Sequence, residues 1–227
     1  MLSIVCTPIG NVTDISIRQA HALFSADIIL AEDTRRAGRL LSDIAQLLDL
    51  ERNEEQKLVS YYKEVEFEKI PDVLRWLTEG KRVALISDAG TPLVSDPGYL
   101  LVQQVIKRDM TFTVIPGPSS VTTALIHAGF QLKTFYFAGF LPKKNSAAIK
   151  MVKSWVEMKR LDPDMLIVFF ETTHRIGETL TILESILPER RLAICRELTK
   201  THESVVRGTP AELRGAEYRG ELTIVLE

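Results

Sequence analysis

The sequence predicts an α/β fold in two domains, and two observations lead to this prediction. Short apolar, β-branched segments alternate with helical patterns through the first half of the chain, which is typical of βαβ units around a parallel sheet. After the Pro-Gly-Pro turn at 116–118 the pattern changes, and residues 191–227 are rich in strands and turns. We therefore predict a mainly parallel sheet with helices in residues 1–115 and a mixed-sheet α/β domain, ending in antiparallel strands, in residues 116–227.

The first domain is predicted to alternate strictly between strands and helices. The strands are placed at residues 3–6, 27–31, 57–60, 83–87 and 112–115. The helices are placed at residues 16–24, 35–48, 67–79 and 99–107. Ser16 and Gln19 have the spacing of a capping box, which supports the start of the first helix.

The second domain is predicted to combine three helices with a sheet. The helices are placed at residues 120–128, 146–159 and 174–187, and the first two strands at 134–140 and 165–170. The turn-forming residues Gly208, Thr209, Pro210, Gly215 and Gly220 divide the strand-rich end of the chain.

Composition excludes several classes of protein. The chain has 227 residues, 45% of them hydrophobic, and a formal net charge of -2, so any RNA contact must come from a local basic patch. Cys6 and Cys195 each lie in an apolar run and are expected to be buried free thiols. His174 and His202 have no metal-like spacing, and no metal site is predicted. The start resembles no signal peptide and no apolar run is long enough to cross a bilayer, so we expect a soluble, cytoplasmic protein without membrane contact.

Candidate ligand-binding residues lie in small-residue loops that follow the predicted strands. The sequence contains no G-x-G-x-x-G, Walker A, G-x-S-x-G or H-E-x-x-H motif. The loop at 7–11 (Thr-Pro-Ile-Gly-Asn) is interpreted first as a tight turn. In the loop at 87–98, the Asp88-Ala89-Gly90 segment favours a polar ligand held by backbone amides, whereas Asp96 or Ser95 is expected to cap the next helix.

Three further loops leave alternatives open. Ser119 or Ser120 could cap a helix, face a ligand carboxylate, or do both. The Glu-Asp-Thr-Arg-Arg segment at 32–36 could orient a substrate and supply a base, or form a surface ion-pair network. The segments 170–175 and 196–200, which both follow apolar strands, could form buried ion pairs across a sheet or line a groove for a polyanion.

The ordered set of these motifs resembles one family. The loops at 7–11, 32–35, 87–98 and 116–119 are followed by Gly-Phe-Leu-Pro at 139–142 and Arg-Glu-Leu-Thr-Lys at 196–200. In this order and placement they resemble ribosomal RNA small subunit methyltransferase I, a member of the tetrapyrrole-methylase superfamily, over essentially the whole chain. The chain resembles a short form without the usual C-terminal helical segment.

The resemblance implies a fold, a cofactor and a reaction. It implies the two-domain tetrapyrrole-methylase fold, a homodimer, and S-adenosyl-L-methionine in a cleft between the domains. The reaction implied is transfer of a methyl group to the 2′-oxygen of a cytidine ribose in small-subunit (16S) ribosomal RNA. The residues implied in cofactor binding are Pro8, Asp88, Ala89, Gly90, Thr91, Ser119, Ser120, Phe170 and Leu198.

The reaction requires alignment and removal of a proton. The methyl group of a sulfonium is already electrophilic, whereas a neutral ribose hydroxyl is a poor nucleophile that needs a base or a stabilising cation nearby. Glu32, Asp33 and Lys200 are the candidate groups, and Arg35 is the candidate partner of a phosphate or an oxyanion.

The chain departs from the family pattern mainly where substrate is expected. The family's His-Asn-Glu element is replaced by Tyr-Tyr-Lys-Glu-Val-Glu at 61–66, and its Tyr-Glu-Ser-Pro-His-Arg by Phe-Glu-Thr-Thr-His-Arg at 170–175. An expected arginine after Pro142 is absent, but four lysines keep that region basic, which fits a phosphate-bearing acceptor or a solvated helix face: Lys143, Lys144, Lys150 and Lys153. The competing hypotheses are methylation of another acceptor, such as a tetrapyrrole or another RNA site, and a non-catalytic RNA-binding protein.

Overall fold

The computed structural model describes residues 1–227 and divides them into two compact units, Met1–Ser119 and Ser120–Glu227. The junction thus follows Ser119, a few residues beyond the predicted boundary. None of the helices combines the length and the apolar character that crossing a membrane requires.

The first unit contains a five-stranded sheet in which every pairing is parallel, as predicted. Its strands are β1 (Leu2–Val5), β2 (Ile28–Ala31), β3 (Lys57–Ser60), β4 (Val83–Leu85) and β5 (Phe112–Ile115), in the order β3-β2-β4-β1-β5. Its helices are α1 (Ile17–Ser25), α2 (Thr34–Leu48), α3 (Glu66–Thr78) and α4 (Tyr99–Lys107).

The alternating side chains of β2 explain why helices cover both faces of this sheet. Ile29 and Ala31 pack with α1 and α2 on one face, and Ile28 and Leu30 pack with α3 and α4 on the other. A strand that is buried on both faces has a continuous apolar sequence, as β2 does. Because every pairing in this sheet is parallel, the carboxyl ends of its five strands lie at one edge of the sheet, which we name the carboxyl edge.

The second unit contains a mixed five-stranded sheet, as predicted. Its strands are β6 (Phe135–Phe140), β7 (Leu166–Glu171), β8 (Leu192–Arg196), β9 (Ser204–Gly208) and β10 (Leu222–Leu226), in the order β6-β7-β10-β8-β9. Only the β6–β7 pairing is parallel; β10 pairs antiparallel with β7 and β8, and β8 pairs antiparallel with β9. Its helices are α5 (Ser120–Ala128), α6 (Asn145–Leu161), α7 (Ile176–Ile186) and α8 (Pro210–Leu213).

The core of the second unit is formed where α6 and α7 pack on the sheet. Trp155 of α6 is fully buried, and its ring centroid lies 5.3 Å from that of Phe169 in β7. Leu180 and Leu183 of α7 complete this core, and α5 packs against β8 and β10. Cys195 in β8 is buried and free, as is Cys6, which confirms the prediction for both thiols.

Two local details follow from capping. Ser16 and Gln19 form both hydrogen bonds of the predicted capping box at the start of α1. The four-residue α8 was not predicted; Thr209 and Glu212 form a second capping box, with Pro210 at the first helical position.

Candidate active site

The loops that follow β1 and β4 meet at the carboxyl edge. Thr7 and Gly90 exchange backbone hydrogen bonds of 2.8 and 3.1 Å, which places Pro8 beside Gly90. Gly90 has a φ of 79°, a conformation that favours glycine. Thr91 accepts a hydrogen bond from the Cys6 thiol at 3.6 Å. Two loops that are distant in sequence thus form one continuous backbone surface.

The loop after β5 joins the same surface through close packing at Gly117. The Gln19 side-chain amide donates to the Cys6 carbonyl at 2.6 Å. A Cβ atom at Gly117 would lie only 2.1 Å from that amide nitrogen, so no larger residue fits. Thr91 Oγ1 donates to the Pro118 carbonyl at 3.5 Å. Ser119, a predicted cofactor contact, directly follows this fixed segment.

Asp88 connects the β4 loop to the β2 loop. Its Oδ1 accepts a hydrogen bond from the Asp33 backbone amide at 3.1 Å, and its Oδ2 pairs with the Arg36 guanidinium at 3.0 Å. The neighbouring positions of β2 and β4 in the sheet make these contacts possible. Asp88 therefore holds the predicted cofactor loop against the predicted catalytic segment.

Asp33 is engaged by its own helix. It is the N-cap of α2, and its Oδ1 accepts hydrogen bonds from the backbone amides of Arg35 and Arg36 at 2.8 and 3.4 Å. The hydrogen bond with the Arg35 guanidinium, together with these amides, lowers the pKa of Asp33 to about 2. A carboxylate of such low basicity is a weak proton acceptor, which argues against the hypothesis of a base at Asp33.

Glu32 has the opposite environment. Partial burial and the negative charge of Asp88 raise the pKa of the Glu32 carboxyl above its usual range, although a hydrogen bond from the Asp88 backbone amide and the charge of Arg36 oppose the shift. Glu32 directly follows β2, so it lies at the carboxyl edge. Of the two adjacent carboxylates, Glu32 has the electrostatic environment expected of a general base.

Asp96 belongs to the same group of charges. Burial, followed by the negative charges of Glu32 and Asp88, raises the pKa of Asp96 to about 7, while a hydrogen bond with Ser87 opposes the shift. The prediction that Asp96 or Ser95 caps α4 is wrong, because the N-cap is Gly98 and no side chain of that segment bonds to it.

The cap of α4 comes instead from Glu66 in α3. Glu66 is buried, and its Oε1 accepts hydrogen bonds from the backbone amides of Gly98, Leu100 and Leu101 at 3.0, 3.1 and 3.4 Å. The buried Tyr61 hydroxyl donates to the same oxygen at 3.3 Å. The sequence did not predict this cap, because the amides of α4 that Glu66 binds lie more than thirty residues away from it. The only indication in the sequence was the glutamate that ends the 61–66 element.

In the second unit, a buried carboxylate organises the ends of β6 and β7. Glu171 is 2% exposed and accepts hydrogen bonds from the Thr172 amide at 2.8 Å and the Thr179 hydroxyl at 2.6 Å. Arg175 lies 3.7 Å from Glu171 and donates to the carbonyls of Leu141 and Pro142 at 2.9 and 2.7 Å. The ion pair at the 170–175 segment thus forms within that segment, and not across the sheet as the sequence had suggested.

Lys200 is held by two carboxylates. Its Nζ lies 3.0 Å from Glu197 and 2.9 Å from Glu221. Partial burial alone would lower the pKa of Lys200, but the hydrogen bonds with Glu221 and Glu197 outweigh it and raise the pKa above its usual value. A lysine that is charged and paired in this way cannot accept a proton, which argues against Lys200 as a base.

The remaining predicted contacts also lie in the second unit. Phe170 packs against Phe137 and Phe140, with ring centroids 5.1 and 5.3 Å apart, and Leu198 is buried. The first unit brings together most of the predicted residues: Pro8, Glu32, Asp33, Arg35, Asp88, Ala89, Gly90, Thr91 and Ser119. Ser120, Phe170, Leu198 and Lys200 belong to the second unit.

Comparison with known proteins assigns the chain to a family. The family model described as Tetrapyrrole (Corrin/Porphyrin) Methylases matches residues 1–214. The chain belongs to this family. It is 41% identical, over 99% of its length and 75% of the relative's, to a protein of Neisseria meningitidis serogroup A named ribosomal RNA small subunit methyltransferase I. It is 38% identical to a protein of the same name from Thermotoga maritima, over 99% of this chain and 97% of the relative.

Solved structures with little sequence identity share the fold. A cobalt-precorrin-4 methyltransferase superposes with a TM-score of 0.70 at 15% identity, covering 99% of this chain and 93% of that one. A diphthine synthase superposes with a TM-score of 0.68 at 15% identity, covering 100% and 90%. The family assignment confirms the predicted resemblance to the small-subunit methyltransferases and the predicted cofactor, S-adenosyl-L-methionine.

Proposed function

We propose that this protein transfers a methyl group from S-adenosyl-L-methionine to the 2′-oxygen of a cytidine ribose in small-subunit ribosomal RNA. The observation that carries the proposal is the identity of 37–41% over nearly the full chain with relatives named ribosomal RNA small subunit methyltransferase I. The cluster of carboxylates at the carboxyl edge supports the proposal that a ribose hydroxyl is the acceptor, because a hydroxyl needs a base and Glu32 is suited to that role.

The proposed cofactor contacts fit a polar ligand held by main-chain groups. The turns at Gly90 and Gly117 are closely packed: a Cβ atom at Gly90 would lie 3.2 Å from Ile9, and Gly117 is more crowded still. We propose that the backbone of Pro8 and of residues 88–91 contacts the cofactor directly. The start of α5, at Ser119 and Ser120, offers backbone amides suited to a carboxylate. Phe170 and Leu198 are proposed to contact the adenosine.

Each catalytic candidate then has a distinct proposed role. When bound, S-adenosylmethionine supplies the electrophilic methyl group. Glu32 accepts the proton of the ribose hydroxyl as that oxygen attacks, and Asp88 raises the proton affinity of Glu32. Arg35 pairs with Asp33 at 3.1 Å, but its side chain is 83% exposed, so its guanidinium remains accessible to a substrate phosphate. Asp33 holds the start of α2 in place, and Lys200 fixes the 196–200 turn.

Transfer of a tritiated methyl group to isolated small ribosomal subunits tests this function. We expect label in the ribosomal RNA and, after digestion to nucleosides, in 2′-O-methylcytidine. Label in a base or in another nucleoside would contradict the acceptor. Label in a tetrapyrrole such as uroporphyrinogen, with none in RNA, would favour the alternative of a different acceptor. Saturable cofactor binding without transfer to any RNA would overturn the proposal.

The proposed homodimer is tested separately. Sedimentation equilibrium of the purified chain is expected to give twice the 25.6 kDa monomer mass. A monomer at micromolar concentration would contradict this expectation.

A further inference from the structure

One face of α6 carries lysines that the proposed methyl-transfer site does not use. Lys143 and Lys144 directly precede the helix, and Lys150 and Lys153 lie on it; all four side chains are exposed. The spacing of three residues between Lys150 and Lys153 places them on the same side of the helix. We name these four residues the lysine row.

The buried face of α6 fixes the direction in which the lysine row points. Ala148, Val152, Trp155 and Lys159 are buried at spacings of four, three and four residues. Lys150 and Lys153 lie between these positions in sequence and project from the opposite side of the helix. Packing of the helix on the sheet therefore holds the lysine row toward solvent.

The lysine row lacks partners of opposite charge. None of its four ammonium groups forms a salt bridge or a side-chain hydrogen bond. Glu157, four residues after Lys153 on the helix, pairs with Arg160 at 2.8 Å, and Glu178 accepts a hydrogen bond from Asn145 at the start of the helix. Like charges on neighbouring helical positions repel one another, so the row does not stabilise the helix. In a chain of net charge -2, it is a local positive surface.

Hydrogen bonds from a buried ion pair fix the segment immediately before the lysine row. Arg175 donates hydrogen bonds to the Leu141 and Pro142 carbonyls immediately before Lys143, and the buried Glu171 lies behind Arg175. The position of the row is thus set by secondary structure and by a buried ion pair, not by a free loop.

We propose that the lysine row binds the phosphate backbone of the RNA substrate. This inference rests on the proposed function and adds a docking surface to it. Clustered, unpaired cations gain affinity for a polyanion by releasing its counterions. Lys144 and Lys153 are about 14 Å apart along the helix, enough to span several successive phosphates. A lipid surface fits less well, because the apolar face of α6 is packed against the sheet and is not available for insertion.

The salt dependence of RNA binding tests the proposal. The test variant is Lys143→Gln, Lys150→Gln and Lys153→Gln together, which leaves the N-cap residue Lys144 unchanged. The control variant replaces three exposed lysines of the first unit, which lie at the start of β3, just before β4 and at the end of α4: Lys57→Gln, Lys81→Gln and Lys107→Gln. Binding to small ribosomal subunits and to the naked 16S RNA is measured from about 50 to 200 mM salt.

We expect the test variant to bind RNA at least roughly tenfold more weakly at low salt, with a salt slope smaller by about two. The control variant should bind as the unchanged protein does. The dissociation constant for S-adenosylmethionine should be the same in all three proteins. A salt slope that is unchanged in the test variant, or reduced equally in the control, would overturn the proposal.

Two outcomes separate this inference from the proposed function. Weaker binding of the test variant to subunits but not to naked RNA would mean that the row contacts a ribosomal protein, which would also overturn the inference. If the unchanged protein transfers no methyl group to RNA, the proposed function fails, and the RNA-binding comparison still decides whether the row contacts phosphate.

Discussion

At the scale of single residues, two adjacent carboxylates have opposite pKa shifts because their surroundings differ. Asp33 caps α2 and pairs with Arg35, which lowers its pKa to about 2. Glu32 directly follows a buried strand, and burial together with the charge of Asp88 raises its pKa above the usual range. The sequence placed both residues at one site, but only the structure distinguishes a capping residue from a candidate base.

Glu32, and not Asp96, is expected to set the pH at which the enzyme becomes active. The charge of Glu32 raises the pKa of Asp96, whereas Asp96 does not shift the pKa of Glu32, so Asp96 is neutral while Glu32 ionises. Asp96→Asn should therefore leave the acidic limb of the pH–rate profile unchanged, whereas Asp88→Asn, which removes a charge that raises the pKa of Glu32, should move it to lower pH by roughly half a unit to one unit. The measurement is single-turnover methyl transfer at saturating cofactor between pH 5 and 9; a shifted limb in Asp96→Asn, or none in Asp88→Asn, would contradict this order of ionisation.

The substitution Asp96→Asn also provides a test by protein stability. The pKa of Asp96 is about 7 in the fold against an ordinary 3.8, so this group contributes most stability below pH 4 and loses it as pH rises through 7. In Asp96→Asn this loss is absent. In urea unfolding, the stability of the variant relative to the unchanged protein should therefore rise between about pH 4 and pH 7 and level off above pH 7, and a difference that is independent of pH would contradict the shift.

At the scale of elements, the start of α4 depends on a residue of another helix. Glu66→Ala would leave three backbone amides of α4 and the Tyr61 hydroxyl without their acceptor. We expect the free energy of unfolding to fall by about 2–4 kcal/mol, because buried donors lose their partner. Glu68→Ala in the same helix, at an exposed position, should change it by less than about 0.5 kcal/mol. Equal effects in urea unfolding would contradict the cap.

The elements themselves were largely predictable because their cause is local. β3, β5, α4 and α5 have the predicted bounds, since apolar segments and helical periodicity determine them. The capping box of α1 was predictable because both partners lie within one turn. The cap of α4 was not, because it depends on which helices pack side by side. For the same reason, the sequence left open an ion pair across the sheet at 170–175, whereas the pair forms within that segment, and the hydrogen bonds of Arg175 to the segment before α6 were not predicted.

At the scale of the whole molecule, cofactor binding should stabilise the native protein. A ligand that binds only the folded state at 100 times its dissociation constant adds about 2.7 kcal/mol to the free energy of unfolding. For a chain of this size, S-adenosylmethionine should therefore raise the Tm by roughly 5–10 °C in calorimetry. Asp88→Ala, which separates the two loops at the carboxyl edge, should remove most of this increase.

If S-adenosylmethionine produced no increase in the unchanged protein, the cofactor would not bind the free enzyme. An increase that Asp88→Ala leaves intact would place the cofactor away from the 88–91 segment. The sequence alone predicted these candidate loops because each follows a strand, and the parallel sheet brings strand ends together. It could not predict that Thr7 and Gly90 would be bonded to each other, since that contact requires β4 to lie next to β1.

The net charge of the chain does not predict the local positive charge at α6. A net charge of -2 gave no sign of a nucleic-acid partner, whereas the lysine row concentrates four unpaired cations at the start and on one side of α6. The fold provides this concentration by packing the apolar side of α6 against the sheet.

Single-turnover transfer of a tritiated methyl group to small ribosomal subunits, compared between the unchanged protein and Glu32→Gln, tests the central claim most directly. Asp33→Asn is the matched control, because asparagine also caps helices and only the charge is lost. We predict that Glu32→Gln lowers the transfer rate by about 10²–10⁴-fold, with unchanged cofactor affinity, and that Asp33→Asn retains most of the rate. Full transfer by Glu32→Gln, or no transfer to the RNA by the unchanged protein, would contradict the account.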